Sequence, residues 1–298
     1  MNTPRSMSHF VAHCRLVLTR ASFVLLLISI SGCSTLIANQ TSKLANSLSS
    51  AILDNDDLQV VADGAPAYLI MIDGLINSSP NSDSLLRAGS SLNGAYASAF
   101  VTDDARRLKM TEKSLAYAAQ AACIKIEALC GVRTLKFNEL SAVLAQQKQS
   151  AVPSLYTLGT AWAGWIQVRT NDWTAIGGLA NVKGILESVV ALDEGYENGN
   201  AHLYLGVLGT VLPPALGGKP EIGAQHFQKA IELSQGRNLI AKVFYAQNYA
   251  RLVFDRELHD QLLNQVIDAD PNARGFVLMN TVAQQQARDL LASANDYF

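Results

Sequence analysis

His202-Leu203-Tyr204-Leu205-Gly206-Val207-Leu208-Gly209, followed after an insertion by Gly223-Ala224-Gln225-His226-Phe227-Gln228-Lys229-Ala230, is the pair of stretches on which the fold turns. The first sets a large residue directly before a glycine, Leu205-Gly206. The second carries a small residue, an aromatic four positions later and an alanine three beyond that: Gly223, Phe227 and Ala230. On helices, small residues at such positions let two paired backbones approach closely.

Related patterns recur on either side. Leu158-Gly159 followed by Trp162 starts a similar unit, Ala246 followed by Tyr249 another, and Asp270-Pro271 stands where such a unit would end. The spacing pattern is that of the tetratricopeptide repeat, in degenerate and expanded form, because the intervals exceed the roughly 34 residues of the standard repeat. Plain antiparallel helix packing also places small residues at crossings. Period-two strand patterns are scarce and helical spacing runs from about residue 40 to the end, so the expected class is all-α, a stack of antiparallel helical hairpins of roughly ten to twelve helices. Asp63-Gly64-Ala65-Pro66 reads as the opening of a helix through Ile76. Val152-Pro153 and Lys219-Pro220 each place proline near the first turn of a helix, and one helix is expected over 105–129.

The amino terminus is of another kind. Arg5, Arg15 and Arg20 precede the apolar run 21–30 (ASFVLLLISI), which is shorter than a membrane-spanning helix needs, and the run leads into Ile30-Ser31-Gly32-Cys33. This resembles a bacterial lipobox. The expected organisation is a signal peptide over 1–32, a lipidated tether over 33–50 with Cys33 as the acylated terminus, and one helical domain over 51–298. Acyl chains would anchor the protein to a membrane without a spanning segment, and Ser34 suggests the periplasmic face of the outer membrane. Removing residues 1–32 takes away three arginines and no acid, leaving 266 residues with 20 basic and 25 acidic side chains, a net charge of −5. No basic stretch interleaved with aromatics marks a nucleic-acid partner. No later apolar stretch reads as a membrane span, since the run over 68–76 is broken by Asp73 and that over 203–212 is too short.

Two cysteines remain, Cys123 and Cys130. On one continuous helix they would lie about 10.5 Å apart, beyond disulfide reach. A helix ending at Cys130-Gly131 would let the chain turn and join them, so a disulfide and a pair of buried thiols both fit. Two cysteines without histidine nearby make half a metal site, so no metal is expected. Phosphate-loop, zinc-protease and nucleophile-elbow motifs are missing, and His202, His226 and His259 are scattered, which suits packing or surface roles. Asp54-Asn55-Asp56-Asp57 lacks the glycine and terminal glutamate of a calcium loop and reads as a helix-start cap. No cofactor and no catalytic residue are expected.

Taken together, Cys33, TAWAGW (160–165), ALDEGYENGNAHLYLGV (191–207), LGGKPE (216–221), HFQKAI (226–231) and DRELHDQLL (255–263) resemble the T component associated with TRAP transporters, the TatT-like lipoproteins with tetratricopeptide-like repeats. The resemblance runs from Cys33 almost to the last residue. It implies a non-enzymatic, all-helical periplasmic lipoprotein that partners a TRAP substrate-binding protein, with self-association into a homo-oligomer around a central cavity. It also implies a small organic acid or hydrophobic carboxylate as ligand. Trp162, Trp165, Tyr204, Lys219 and Arg251 are the candidates for lining its path: the aromatics would give apolar surface, and the cations would offset a carboxylate. A transport role calls for a pore or deep pocket. The alternative, a scaffold for envelope protein assembly, calls for a broad concave groove.

Overall fold

The computed structural model describes Ser47, residues 50–211 and residues 218–298; the signal peptide, Cys33, most of the tether and the stretch 212–217 lie outside the described residues. The helical unit spans Ser50–Phe298. Thirteen α-helices are described from Leu58 onward: α1 Leu58–Ser78, α2 Asp83–Phe100, α3 Asp104–Lys125, α4 Phe137–Leu144, α5 Val152–Gln167, α6 Trp173–Ile176, α7 Leu179–Leu192, α8 Asn200–Gly209, α9 Pro220–Leu233, α10 Leu239–Phe244, α11 Arg256–Asp268, α12 Val277–Ala292 and α13 Ala294–Tyr297. A π-helical turn, Tyr245–Ala250, continues α10. No strand occurs among the described residues, and the all-α class stands.

Local chemistry sets most of the helix starts. The side chains of Asp57, Ser82, Asp103, Asp172 and Asp255 accept hydrogen bonds from first-turn backbone N–H groups, which have no partner within a helix. Pro153 and Pro220 occupy first-turn positions of α5 and α9, where a missing N–H costs nothing.

Pro66 behaves differently. The sequence offers two starts here, the acidic cap at 54–57 and Asp63-Gly64-Ala65-Pro66; the helix begins at Leu58 directly behind the cap, and Pro66 lies inside it. Asp57 starts the helix early by accepting from Gln59 and Val60 N–H, and the carbonyl of Ala62, which Pro66 cannot serve, accepts from the Tyr96 hydroxyl instead at 3.0 Å. The helix expected over 105–129 also divides. α3 ends at Lys125, Ile126 is extended, and the chain turns through Glu127–Leu129. α4 has no counterpart in the helical spacing, and the π turn departs from the regular helix that the spacing of 239–254 suggests. In the π turn the Asn248 side-chain amide donates to the Phe244 carbonyl at 3.0 Å, competing with the ordinary ladder.

Consecutive helices pack as neighbours: α1 on α2, α2 on α3, α3 on α5, α5 on α7, α7 on α8, and α8 on α9. The α8–α9 contact is a close backbone approach. A Cβ at Gly206 would stand 2.7 Å from the Phe227 ring, and one at Gly223 would stand 2.8 Å from the Gly206 carbonyl oxygen, so the backbones meet where the small residues fall. One core cluster runs from Leu115 through α5 and α7 to Leu205, and a second from Leu203 through Phe227 and α10 to Ala287.

The last long helix returns to the first. Leu278 of α12 packs with Val61, Ala65 and Leu69 of α1, and Asp54 accepts the N–H of Gly275 just ahead of α12. Asn280, fully buried on α12, accepts from Leu239 N–H at 3.0 Å and donates to the carbonyls of Arg237 at 2.9 Å and Pro271 at 3.2 Å.

By length and composition, two helical stretches would suffice to cross a membrane, Leu58–Ser78 and Trp173–Leu192, which corrects the reading from apolar runs alone. That reading counted uninterrupted runs and so missed stretches rich in small residues with few charges. Each contributes a buried face to the fold, Ile72 and Ile76 from the first, Val182 and Ile185 from the second.

Candidate functional site

Where α1, α2 and α12 meet, the described residues enclose an open cleft of about 300 Å³, lined by Leu58, Gln59, Ala62, Ala99, Phe100, Val282, Gln285 and Gln286. Two of its lining residues are tied to Tyr96, which donates to the Ala62 carbonyl and whose ring lies 5.5 Å from that of Phe100, with Arg106 over the Tyr96 face at 5.6 Å. Its polar groups are three glutamine amides and its walls are otherwise apolar. Gln59 is held by Asp63 at 3.0 Å and Gln285 by Asp289 at 3.1 Å. Such a lining suits an uncharged or weakly polar group better than a bare carboxylate, because no cation stands in it. The cleft opens to solvent and is not a tunnel.

Beside it runs the outer face of α1. Ile70 is 73% exposed, Val60 is 55% exposed and Met71 is also exposed. Gly64 and Gly74 on the same face have open space where a side chain would stand. Also on α1, Asp73 pairs with Lys113 and accepts from the Tyr117 hydroxyl at 2.8 Å, which fixes α1 on α3. Burial, helped by that carboxylate, pushes the Tyr117 phenol up to about 12.

The five residues singled out by sequence do not share one cluster. Trp162, Trp165 and Tyr204 belong to the core built around α5, α7 and α8. Trp165 is enclosed: Arg133 and Arg169 lie over its ring at 4.7 and 4.3 Å, and its indole N–H donates to Glu112. Burial raises the Glu112 carboxyl, but the Trp165 hydrogen bond and the two arginines outweigh it and hold the group below its ordinary value. Burial pushes the Tyr204 phenol up. Arg251 is turned to the end of the chain, donating to the Leu290 carbonyl at 3.3 Å and Ser293 Oγ at 3.1 Å, with Tyr297 under its guanidinium at 4.8 Å. Lys219 is exposed at the start of α9. Trp173, the third tryptophan, is 84% exposed.

Cys123, late in α3, and Cys130 are joined by a disulfide with Cα atoms 4.5 Å apart. The break at Ile126 supplies the turn that a continuous helix would deny. Among the described residues no group of three or more potential metal ligands occurs. One contact went unread in the sequence: His202 of α8 and His226 of α9 face each other with Nδ1 atoms 2.8 Å apart. The Gly206 and Gly223 crossing contains the signal, since His202 lies one turn before the first glycine and His226 one turn after the second.

Against this geometry, residues 54–298 match the family model described as TRAP transporter T-component. The chain belongs to the TRAP transporter T-component family. The match covers α1 to α13, so an accessory role in a TRAP transport system and a bacterial envelope-associated location follow from membership. It is a transport accessory family. No individually curated protein matches the chain.

Proposed function

We propose that this protein is a non-enzymatic accessory lipoprotein, acylated at Cys33 and held at the periplasmic face of the outer membrane, that docks the substrate-binding protein of a TRAP system and aids transfer of its small ligand. The observation that carries this reading is the family match over the helical unit, residues 54–298. The signal and lipobox at 1–33 and the Cys123–Cys130 disulfide, a bond that persists in oxidising compartments, support an envelope address. The glycine-tight α8–α9 pair supports a tetratricopeptide-like origin for the array.

For docking, the exposed face of α1 offers Val60, Ile70 and Met71 as apolar contacts beside two glycines that let a partner approach the backbone. For the ligand, the adjoining cleft offers an apolar wall and glutamine amides, which fits the hydrophobic part of a carboxylate. Lys219 is the exposed cation among the five candidates; Trp162, Trp165, Tyr204 and Arg251 would shape the path through the packing they already make.

Crosslinking in membranes followed by purification in mild detergent should recover a TRAP substrate-binding protein with the full-length chain. Ile70→Glu should cut that recovery at least tenfold with unchanged helical content, and Cys33→Ser should move the protein from the membrane to the soluble fraction. Failure of the unaltered protein to retain any substrate-binding protein would overturn the docking role.

A further inference from the structure

We propose that His202 and His226 form an acid-released clasp between α8 and α9, closed when the pair carries at most one added proton and opened when both rings are charged. The geometry imposes this. A hydrogen bond between two Nδ1 atoms at 2.8 Å needs one ring to donate Nδ1–H and the other to accept with its Nδ1 lone pair. The accepting ring keeps its proton on Nε2. A first added proton enters at the free Nε2 of the donating ring and leaves the clasp intact. A second has only the accepting Nδ1 to enter, the atom that holds the clasp, and it sets two N–H groups of two cations head to head.

The surroundings admit the first proton and resist the second. The His202 Nε2 is buried without a hydrogen-bond partner and lies 3.5 Å from a Glu194 carboxylate oxygen, so a proton placed there finds an acceptor. Glu194 also faces Lys229 of α9 at 3.9 Å, and Lys229 is shared with Glu232 at 3.2 Å. From α7, Lys183 and Glu187 face His226 as a pair whose effects oppose each other. The two further anions near the rings, Glu187 and Glu232, are each paired with a lysine, Lys183 and Lys229, whose charge opposes theirs, so a doubly charged pair gains little from them. Burial holds both rings below the ordinary histidine value, and for His226 the neighbouring His202 adds to it.

The sign follows. Rings held below their unfolded value of about 6.5 leave the folded state fully stabilised above that pH, and the contribution is lost as pH falls beneath it. Opening would be local. His202 lies in the first turn of α8 and His226 midway along α9, between the close approaches of Gly199 to Leu233 and Gly206 to Phe227, so acid would loosen the clasp while those approaches hold the helices together.

Hydrogen exchange of the full-length protein in mild detergent, corrected for the intrinsic pH dependence of exchange, tests this. Peptides from α8 and α9 should lose protection at least tenfold between pH 7.5 and 5.5, while α2 and α3 peptides change little. His226→Gln, which keeps an acceptor for His202 but cannot titrate, should hold protection constant over that range. Equal acid loss in the variant and the unaltered protein would overturn the clasp. Should the variant fail to fold, imidazole NMR of the unaltered protein decides: independent titration of His202 and His226 near the exposed-histidine value would equally refute it, and a coupled, depressed pair would uphold it.

Discussion

The Tyr96 hydroxyl donates to the carbonyl of Ala62 at 3.0 Å, the carbonyl that Pro66 leaves without its helical donor. A side chain of α2 thus repairs the break that proline makes in α1. Tyr96→Phe should lower stability by about 1 kcal/mol in urea unfolding, because a part-buried carbonyl loses the Tyr96 donor. With Pro66→Ala in the same chain the loss should shrink, since the restored N–H serves Ala62. Simple additivity of the two changes would show that the hydroxyl and the missing N–H are unconnected.

The Gly206–Phe227 contact makes a steric prediction. Gly206→Ala should destabilise by about 1–3 kcal/mol despite alanine's better helix propensity, because its Cβ would overlap the ring. Pairing it with Phe227→Leu should give less than the sum of the two single losses, measured by a double-mutant cycle. Two independent costs would mean that α8 and α9 adjust without contact at that point.

Removing the Cys123–Cys130 bond, seven positions apart in sequence, frees a short loop in the unfolded chain. The entropic relation for a loop of this size gives about 2.5 kcal/mol. Cys123→Ser should move the urea midpoint accordingly, and reductant should have the same effect on the unaltered protein but none on the variant.

Glu112 predicts a second acid response, separate from the histidines. Its folded carboxyl lies below its ordinary value of 4.5, so its contribution is present above the unfolded value and is lost as pH falls through the lowered one. Unfolding midpoints should therefore drop more steeply below about pH 4.5 in the unaltered protein than in Glu112→Gln. Parallel curves would mean that Trp165, Arg133 and Arg169 hold the carboxylate no better than water does.

Much of the fold is legible in local chemistry. Asp57, Asp103 and Asp255 before helices, prolines in first turns and glycines at crossings are short-range signals, and they mark α3, α5, α9 and α11 well. The acidic cap at 54–57 marks the true start of α1, whereas the start at 63–66 fails because Pro66 normally marks a first turn and the donor that excuses it inside the helix, Tyr96, comes from another helix. The site is less legible for the same reason. Trp162 and Trp165 stand one turn apart, as their spacing says, but nothing within a few residues of Trp165 announces Arg133 or Glu112. The His202–His226 contact likewise depends on how two helices cross, and the α1–α12 cleft on where the chain returns.

The return of α12 to α1 also bears on how this molecule comes apart. A linear helical array frays from its ends, each terminal unit held by one neighbour. Here the opening segment gives Asp54 to Gly275, and Leu278 fills a gap among Val61, Ala65 and Leu69, so neither end stands alone. Cutting the chain ahead of α12 would unseat α1, expose the apolar side of a helix already apolar on its outer face, and leave a fragment prone to aggregation. Proteolysis should accordingly find either the intact unit or none of it, with few partly trimmed species between.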